Sequence, residues 1–170
     1  MICPDCGHDN ISGVDTCGAC GQPMVQFDPS GCELEQSISR HSISVLNPKT
    51  PVTVNSSVSL REAVAQLVEH HIGALLIVEN DVLVGIVTER DVLNHVSEDP
   101  AMLDKPVFDS MTRSPESVKP QDSIAYALHA MDLGGYRHLA IVDDTGRPTG
   151  IISIRDILRF LCVRFAEMRA

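Results

Sequence analysis

The chain carries one pattern twice, and that repeat limits its fold more than any other feature. From His70 to Asp91 the sequence runs HHIGALLIVENDVLVGIVTERD, and from Gly134 to Asp156 it runs GGYRHLAIVDDTGRPTGIISIRD. Each stretch reads as a loop, a buried strand, a turn, a second apolar strand and a helix start. The copies align without a gap from Thr50/Ser114 to Asn80/Asp144; one residue is then inserted in the second turn, so that Gly85 matches Gly150. Both close on Gly-x-x-Thr/Ser-x-x-Asp, first as Gly85, Thr88 and Asp91, then as Gly150, Ser153 and Asp156. Self-similarity at a fixed period means one architecture built twice.

In the first copy, residues 51–54 (Pro-Val-Thr-Val) read as a short strand. Leu60, Ala63, Val64, Leu67 and Val68 follow the i, i+3, i+4, i+7, i+8 spacing of a helix with one buried face. Residues 75–78 and 82–87 are continuous apolar runs around Glu79-Asn80-Asp81 and should pair as strands; a helix follows from Thr88 through Val96. In the second copy Ile124, Ala127, Leu128 and Met131 take the helix positions, and residues 139–142 and Ile151-Ile152 the strands, around a turn at 143–146. The order strand, helix, strand, strand, helix predicts an α/β protein of two pseudo-symmetric repeats, at 46–100 and 107–170, joined near 100–106.

Residues 1–24 hold Cys3, Cys6, Cys17 and Cys20 in a C-x2-C-x10-C-x2-C arrangement. Four thiolates in two pairs close a tetrahedron around Zn²⁺, each pair gripping one edge. Gly7 and Gly21 follow the second cysteine of each pair, where a permissive backbone turns amides toward the sulfurs. This segment is similar to the short zinc ribbons. It is too short to bury a core, so metal binding must supply its folding free energy. The alternatives are a redox pair or disulfides, and two matched pairs outside a βαβ context weigh against both. His8 reads as a bystander beside four cysteines. Residues 25–45 read as a linker, with Asp28-Pro29-Ser30-Gly31 and a serine-rich run from Ser37 to Ser44. Cys32 and Cys162 have no evident partner and read as reduced thiols.

Charge narrows what the chain meets. The net charge is −10; residues 1–45 carry Asp5, Asp9, Asp15, Asp28, Glu33 and Glu35 against Arg40 alone, a net of −5. A Zn(Cys)₄ centre adds two more negative charges. With no basic stripe for phosphates, nucleic-acid binding is disfavoured, and the ribbon reads as a structural cap or a protein contact. No apolar run is long enough to span a bilayer, and the Met-Ile-Cys-Pro start lacks the marks of a signal peptide. Together these predict a cytoplasmic protein in a reducing setting.

The repeated pair resembles two tandem cystathionine-β-synthase (CBS) domains, the Bateman module. The resemblance covers residue 47 to the C-terminus and is carried by the period, the element order, Ala63 and Ala127, and the two Gly-x-x-Thr/Ser-x-x-Asp endings. It implies two clefts that take adenosine-containing ligands: AMP, ADP or ATP, sometimes S-adenosylmethionine or NAD. It implies further that Asp91 and Asp156 hold ribose hydroxyls while Thr88 and Ser153, with nearby basic residues, meet phosphate. One cleft would combine Arg137 and His138 of the second copy with Thr88, Arg90 and Asp91 of the first. The other would combine Gly73 and Ala74 with Ser153, Arg155 and Asp156. The first has more cationic charge and is expected to be the phosphate-bearing site. The module also implies a homodimer, with Leu158, Leu161 and Phe165 adding apolar surface.

The same residues have plainer readings. Thr88-x-x-Asp91 and Ser153-x-x-Asp156 are also capping boxes, in which side chains satisfy helix-start amides. Arg137 has an alternative partner in Asp143. Asp144-Thr145-Gly146 aligns with the first copy's turn and reads as hairpin chemistry. His70-His71 sit at a helix end, where imidazoles favour the negative terminus. Tyr136 reads as packing or gating. No nucleophile–base pairing is legible, so no catalysis is expected. Two functions remain: a regulatory sensor of an adenine nucleotide whose response is read by the ribbon or a protein partner, or a zinc-ribbon adaptor in which the CBS pair is a dimerising scaffold without ligand.

Overall fold

The computed structural model describes residues 3, 6–11, 14, 16–22 and 33–168. Cys32, the turn at 28–31, Asp5 and Asp15 lie outside the described residues. In chain order the elements are α1 (Glu33–Arg40), β1 (Thr53–Asn55), α2 (Leu60–Glu69), β2 (Ala74–Glu79), β3 (Val82–Thr88), α3 (Glu89–Glu98), β4 (Thr112–Arg113), β5 (Ser117–Val118), α4 (Ile124–Gly134), β6 (His138–Val142), β7 (Pro148–Ser153) and α5 (Ile154–Glu167). Short 3-10 turns lie at Ile43–Leu46, Pro100–Asp104 and Val107–Asp109. The strand, helix, strand, strand, helix order expected of each copy is present in both. The chain divides into two compact units, Pro48–Lys119 with His138–Ile152, and Met1–Asn47 with Pro120–Arg137 and Ser153–Ala170.

The first unit holds both sheets, β1-β2-β3-β4 and β5-β6-β7. Strands β1 and β5 run parallel to β2 and β6, while β2 and β3 pair antiparallel as a hairpin. Strand β2 reads as an unbroken apolar run because both of its faces are covered, as side chains alternate across a strand. Leu75 and Ile77 point into a cluster with Leu60, Ala63 and Leu67 of α2 and with Val87 and Val107. Ala74 and Leu76 point the other way, into a cluster with Ile86 and Ala140. Leu75, Leu76 and Ile77 are each fully buried, and burial of a side chain this size contributes roughly 1.5–3 kcal/mol. A change such as Ile77→Asp would put a charge into the helix-facing cluster and break the unit.

The hairpins explain the one-residue insertion. In the first copy two residues, Asn80 and Asp81, make the turn with φ of 50° and 66°. That left-handed pair matches the type I′ turn, which Asn and Asp tolerate better than most residues. In the second copy the turn is longer and its left-handed position is Gly146, with φ of 81°. The Asp143 carboxylate holds it, accepting from the amides of Thr145 at 2.8 Å and Arg147 at 2.9 Å. These bonds, led by the Thr145 hydroxyl and then the Arg147 amide, lower the Asp143 pKa.

The two copies exchange their leading segments. β4, which opens the second copy, pairs antiparallel with β3 of the first, Gly85 opposite Arg113 and Ile86 opposite Thr112. Lys49, the counterpart of Arg113, makes the reciprocal bridge to Ile151 on β7, with N···O distances of 3.3 and 3.0 Å. The signature glycines sit where these segments cross. A Cβ on Gly150 would lie 3.1 Å from the Pro48 Cβ, and one on Gly85 would overlap the Met111 sulfur. Close approach, rather than backbone angle, therefore favours glycine at both positions.

The second unit contains α1, α4 and α5 together with the four-cysteine segment. Part of the stretch read as a linker is helix α1, with Ser37 and Ile38 buried, followed by Ile43, which is fully buried. Backbone bonds tie this stretch to the start of α4: Ile43 N to Asp122 O at 2.8 Å and Ile124 N to His41 O at 3.0 Å. Toward α5, the His41 ring meets Phe160 edge-on at 5.5 Å, and Arg164 Nε donates to Ser37 Oγ at 3.0 Å. Among the described residues no helix is long and apolar enough to cross a membrane.

Candidate functional site

The two signature endings form helix caps. Asp91 Oδ2 accepts from the Thr88 amide at 2.9 Å and the Thr88 hydroxyl at 2.7 Å, and the Thr88 hydroxyl accepts from the Asp91 amide at 3.4 Å. At α5 the carboxylate does the same work: Asp156 Oδ2 accepts from the Ser153 amide at 2.8 Å and its hydroxyl at 2.7 Å. The capping reading of both motifs therefore holds. It leaves one carboxylate oxygen over in each copy, and here the copies differ. Asp91 Oδ1 has no hydrogen bond or ion pair among the described residues, whereas Asp156 Oδ1 lies 3.7 Å from the Arg159 guanidinium.

Strand pairing decides what stands beside the α3 cap. Ala74 is opposite Thr88 in the β2–β3 ladder, so Gly73 falls next to the first turn of α3, and its carbonyl accepts from the Glu89 amide at 3.2 Å. Over the bare face of Gly73 two side chains converge. A Cβ there would lie 3.4 Å from Glu89 Oε2 and 3.6 Å from the Cε1 and Nε2 atoms of His138. His138 of the second copy is thus brought to the helix start of the first. Glu89 was not singled out from the sequence: it fills a variable position of the motif, and only the fold turns its carboxylate toward His138.

The cations singled out from the sequence are available. Arg90, Arg137 and Arg155 are exposed and form no ion pair among the described residues. Other arginines are engaged, Arg61 with Asp104 at 2.8 Å and Arg147 with Asp81 at 3.8 Å. Arg137 offers its carbonyl to the Ile154 amide at 3.0 Å, in the same unit as Ser153, Arg155 and Asp156.

The four N-terminal cysteines form a second centre. Their Sγ atoms all lie within 4.8 Å of one another, with Cys3–Cys20 at 3.7 Å and Cys6–Cys17 at 3.6 Å. A tetrahedron of Zn–S bonds of about 2.3 Å has edges of about 3.8 Å, so the cluster has the size a zinc ion needs. Disulfides, at about 2.05 Å, are excluded. The two pairs are built alike. Gly7 and Gly21 have φ of 71° and 72°, and their amides donate to the carbonyls of Cys3 and Cys17, both at 2.9 Å. Asn10 ties the halves together, a role its sequence position did not reveal. Its Nδ2 donates to the His8 carbonyl at 3.0 Å and to Cys17 Sγ at 3.4 Å, and its Oδ1 accepts from the Gly18 amide at 2.9 Å. The Cys20 amide, with those of Ala19 and the Asn10 side chain, draws the Cys17 thiol down to about 5. Cys20 is pushed up to about 12: the Gln22 amide pulls it down, but burial and the facing sulfurs of Cys6, Cys17 and Cys3 together outweigh that pull. Four sulfurs that cannot all ionise beside one another are a donor set whose repulsion a dication relieves.

Paired β-α-β-β-α repeats with interchanged leading strands, each ending in a capped helix, define a two-copy module. The chain belongs to the CBS domain family, whose model matches residues 44–98 and 107–163. Among similar structures is the CBS domain pair of protein MJ0100 in complex with 5′-methylthioadenosine and S-adenosyl-L-methionine. It is 26% identical, with a TM-score of 0.68, over 73% of this chain and 98% of that one. The CBS domain protein PAE2072 from Pyrobaculum aerophilum, complexed with AMP, is 27% identical, with a TM-score of 0.66, over 75% and 99% of the two chains. Among sequence relatives, a 17.7 kDa protein of Acidianus ambivalens is 36% identical over 109 residues, 64% of this chain and 65% of its own. The inosine-5′-monophosphate dehydrogenase of Methanocaldococcus jannaschii is 38% identical over 112 residues, 65% of this chain. The matched stretch spans only 22% of that enzyme.

Proposed function

We propose that the chain is a regulatory sensor, not an enzyme, that binds an adenine nucleotide of the AMP, ADP or ATP class at the α3 cap, with Zn²⁺ held by Cys3, Cys6, Cys17 and Cys20. The observation that carries this reading is the uncommitted Asp91 Oδ1 at the start of α3, in the unit where His138 also reaches that helix. Capping consumes one carboxylate oxygen and leaves the other to accept ribose hydroxyls, so both roles fit one residue. Arg90 supplies positive charge for phosphate at this cap, and Arg137 is proposed as a phosphate contact from the sequence resemblance, while the chain's net −10 gives no long-range attraction. Support also comes from the adenosine compounds held by the MJ0100 and PAE2072 proteins. Ser153, Arg155 and Asp156 make a second, weaker place. The zinc orders the ribbon, which then serves as a structural or protein-contact element.

The test is a thermal-shift screen of the purified, zinc-loaded full chain against adenosine, AMP, ADP, ATP and S-adenosylmethionine. A ligand at 100 times its Kd adds roughly 2.7 kcal/mol of stability, well within reach of the assay. Absence of a shift with every compound at millimolar concentration sinks the sensor reading and leaves the scaffold. The reading includes a homodimer, since Leu158 and Phe165 of α5 are half exposed. Light scattering at micromolar concentration giving the monomer mass would remove that part.

A further inference from the structure

The groups at the α3 cap are not uniformly suited to an anion. Glu89 opens the helix, and its side chain is exposed, with no hydrogen bond or ion pair among the described residues. Its amide is already given to the Gly73 carbonyl, so it offers an incoming phosphate no donor in exchange. Its Oε2 stands over the same face of Gly73 as the His138 imidazole, at 3.4 Å against 3.6 Å from the Cβ position. A phosphate placed at the start of α3 meets this carboxylate, which forms no ion pair among the described residues. The repeat places Ile154 where Glu89 stands, so only the first copy has this feature.

We infer that Glu89 sets the charge accepted at this site: it penalises each added phosphate, so that affinity falls in the order AMP, ADP, ATP. The inference rests on the reading of the α3 cap as an adenosine site and adds a selector to it. Two features make the penalty specific. Like charges repel in proportion to their product, so a triphosphate suffers more than a monophosphate, and adenosine does not suffer at all. The carboxylate is partly solvated, so the effect is moderate and shrinks as salt is added.

Titration calorimetry with adenosine, AMP and ATP on the zinc-loaded full chain and on Glu89→Gln tests it. Gln keeps the shape of the side chain at the helix start and removes only the charge. The variant is expected to bind ATP about tenfold and AMP about threefold more tightly, with adenosine unchanged within about twofold. A Glu89→Lys variant should extend the same trend, and both gains should narrow at 0.5 M salt. If the wild type binds adenosine compounds but the ATP-to-AMP ratio is the same in Glu89→Gln, the selector role is overturned while the site stands. A wild type that prefers ATP to AMP overturns it as well. No binding of any adenosine compound removes the site itself, and the inference with it.

Discussion

Asp91→Ala and Asp156→Ala should cost the fold alike and the ligand unequally. Each carboxylate holds the amide and hydroxyl of its helix cap through one oxygen, at 2.9 and 2.7 Å for Asp91 and 2.8 and 2.7 Å for Asp156. Loss of such a cap costs about 1 kcal/mol, which in a chain of this size lowers Tm by roughly 2–4 °C in either variant. The second oxygen separates them. Asp91 Oδ1 is free to take a ribose hydroxyl, and a hydrogen bond to a charged acceptor is worth roughly 1.5–3 kcal/mol, or about tenfold or more in Kd. Asp156 Oδ1 faces Arg159, whose side chain is 76% exposed, so a ligand there must first displace a screened ion pair. Calorimetry with AMP should therefore show Asp91→Ala losing at least about tenfold in affinity and Asp156→Ala losing about threefold or less. Differential scanning fluorimetry without ligand should show similar Tm losses. Equal affinity losses, or an Asp91→Ala protein that binds AMP normally, would refute the reasoning.

Three further outcomes follow from the same geometry. Gly85→Ala should destabilise by about 1–2 kcal/mol in urea melts, because the added methyl meets Met111, and the loss should vanish in a Met111→Ala background; a neutral Gly85→Ala would count against the exchanged segments. Elemental analysis should find one zinc per chain, lost in Cys17→Ser, while Asn10→Ala should keep the stoichiometry but yield its metal to a chelator at roughly 10–100-fold lower affinity. Arg137→Ala should weaken AMP binding by about tenfold and adenosine far less, as read by calorimetry; a variant that binds AMP like the wild type would remove Arg137 from the phosphate contact.

The parts of the fold legible in the sequence are those whose burial writes a period into it. Strand β2 and its counterpart β6 announced themselves because nearly every side chain is covered, and α2 because Leu60, Ala63 and Leu67 share one buried face. The exchanged segments were not legible. β4 is two residues long and its reciprocal is a single bridge at Lys49, too short for any periodicity to register. Helix α1 was read as linker because it contributes one buried apolar side chain, Ile38, within a serine-rich run, and its attachment is through backbone and polar contacts. At the site the motif residues were found and their caps anticipated. Glu89 and Asn10 escaped because their roles arise from where the backbone places them, not from a spacing.

The exchange also explains why the repeat in the sequence is not the division of the structure. A copy cut at its sequence boundary would take β3 without β4, leaving Gly85 and Ile86 on an open strand edge. It would also bare the face of β2 where Ala74 and Leu76 pack with Ile86 against Ala140 of the other copy. The compact unit accordingly gathers 48–119 with 138–152, joining all of the first copy's sheet to the hairpin of the second. His138 enters that unit as the first residue of β6, and this is what carries it to Gly73 and the α3 cap. The same interlock that favours glycine at 85 and 150 therefore builds the proposed site from both copies.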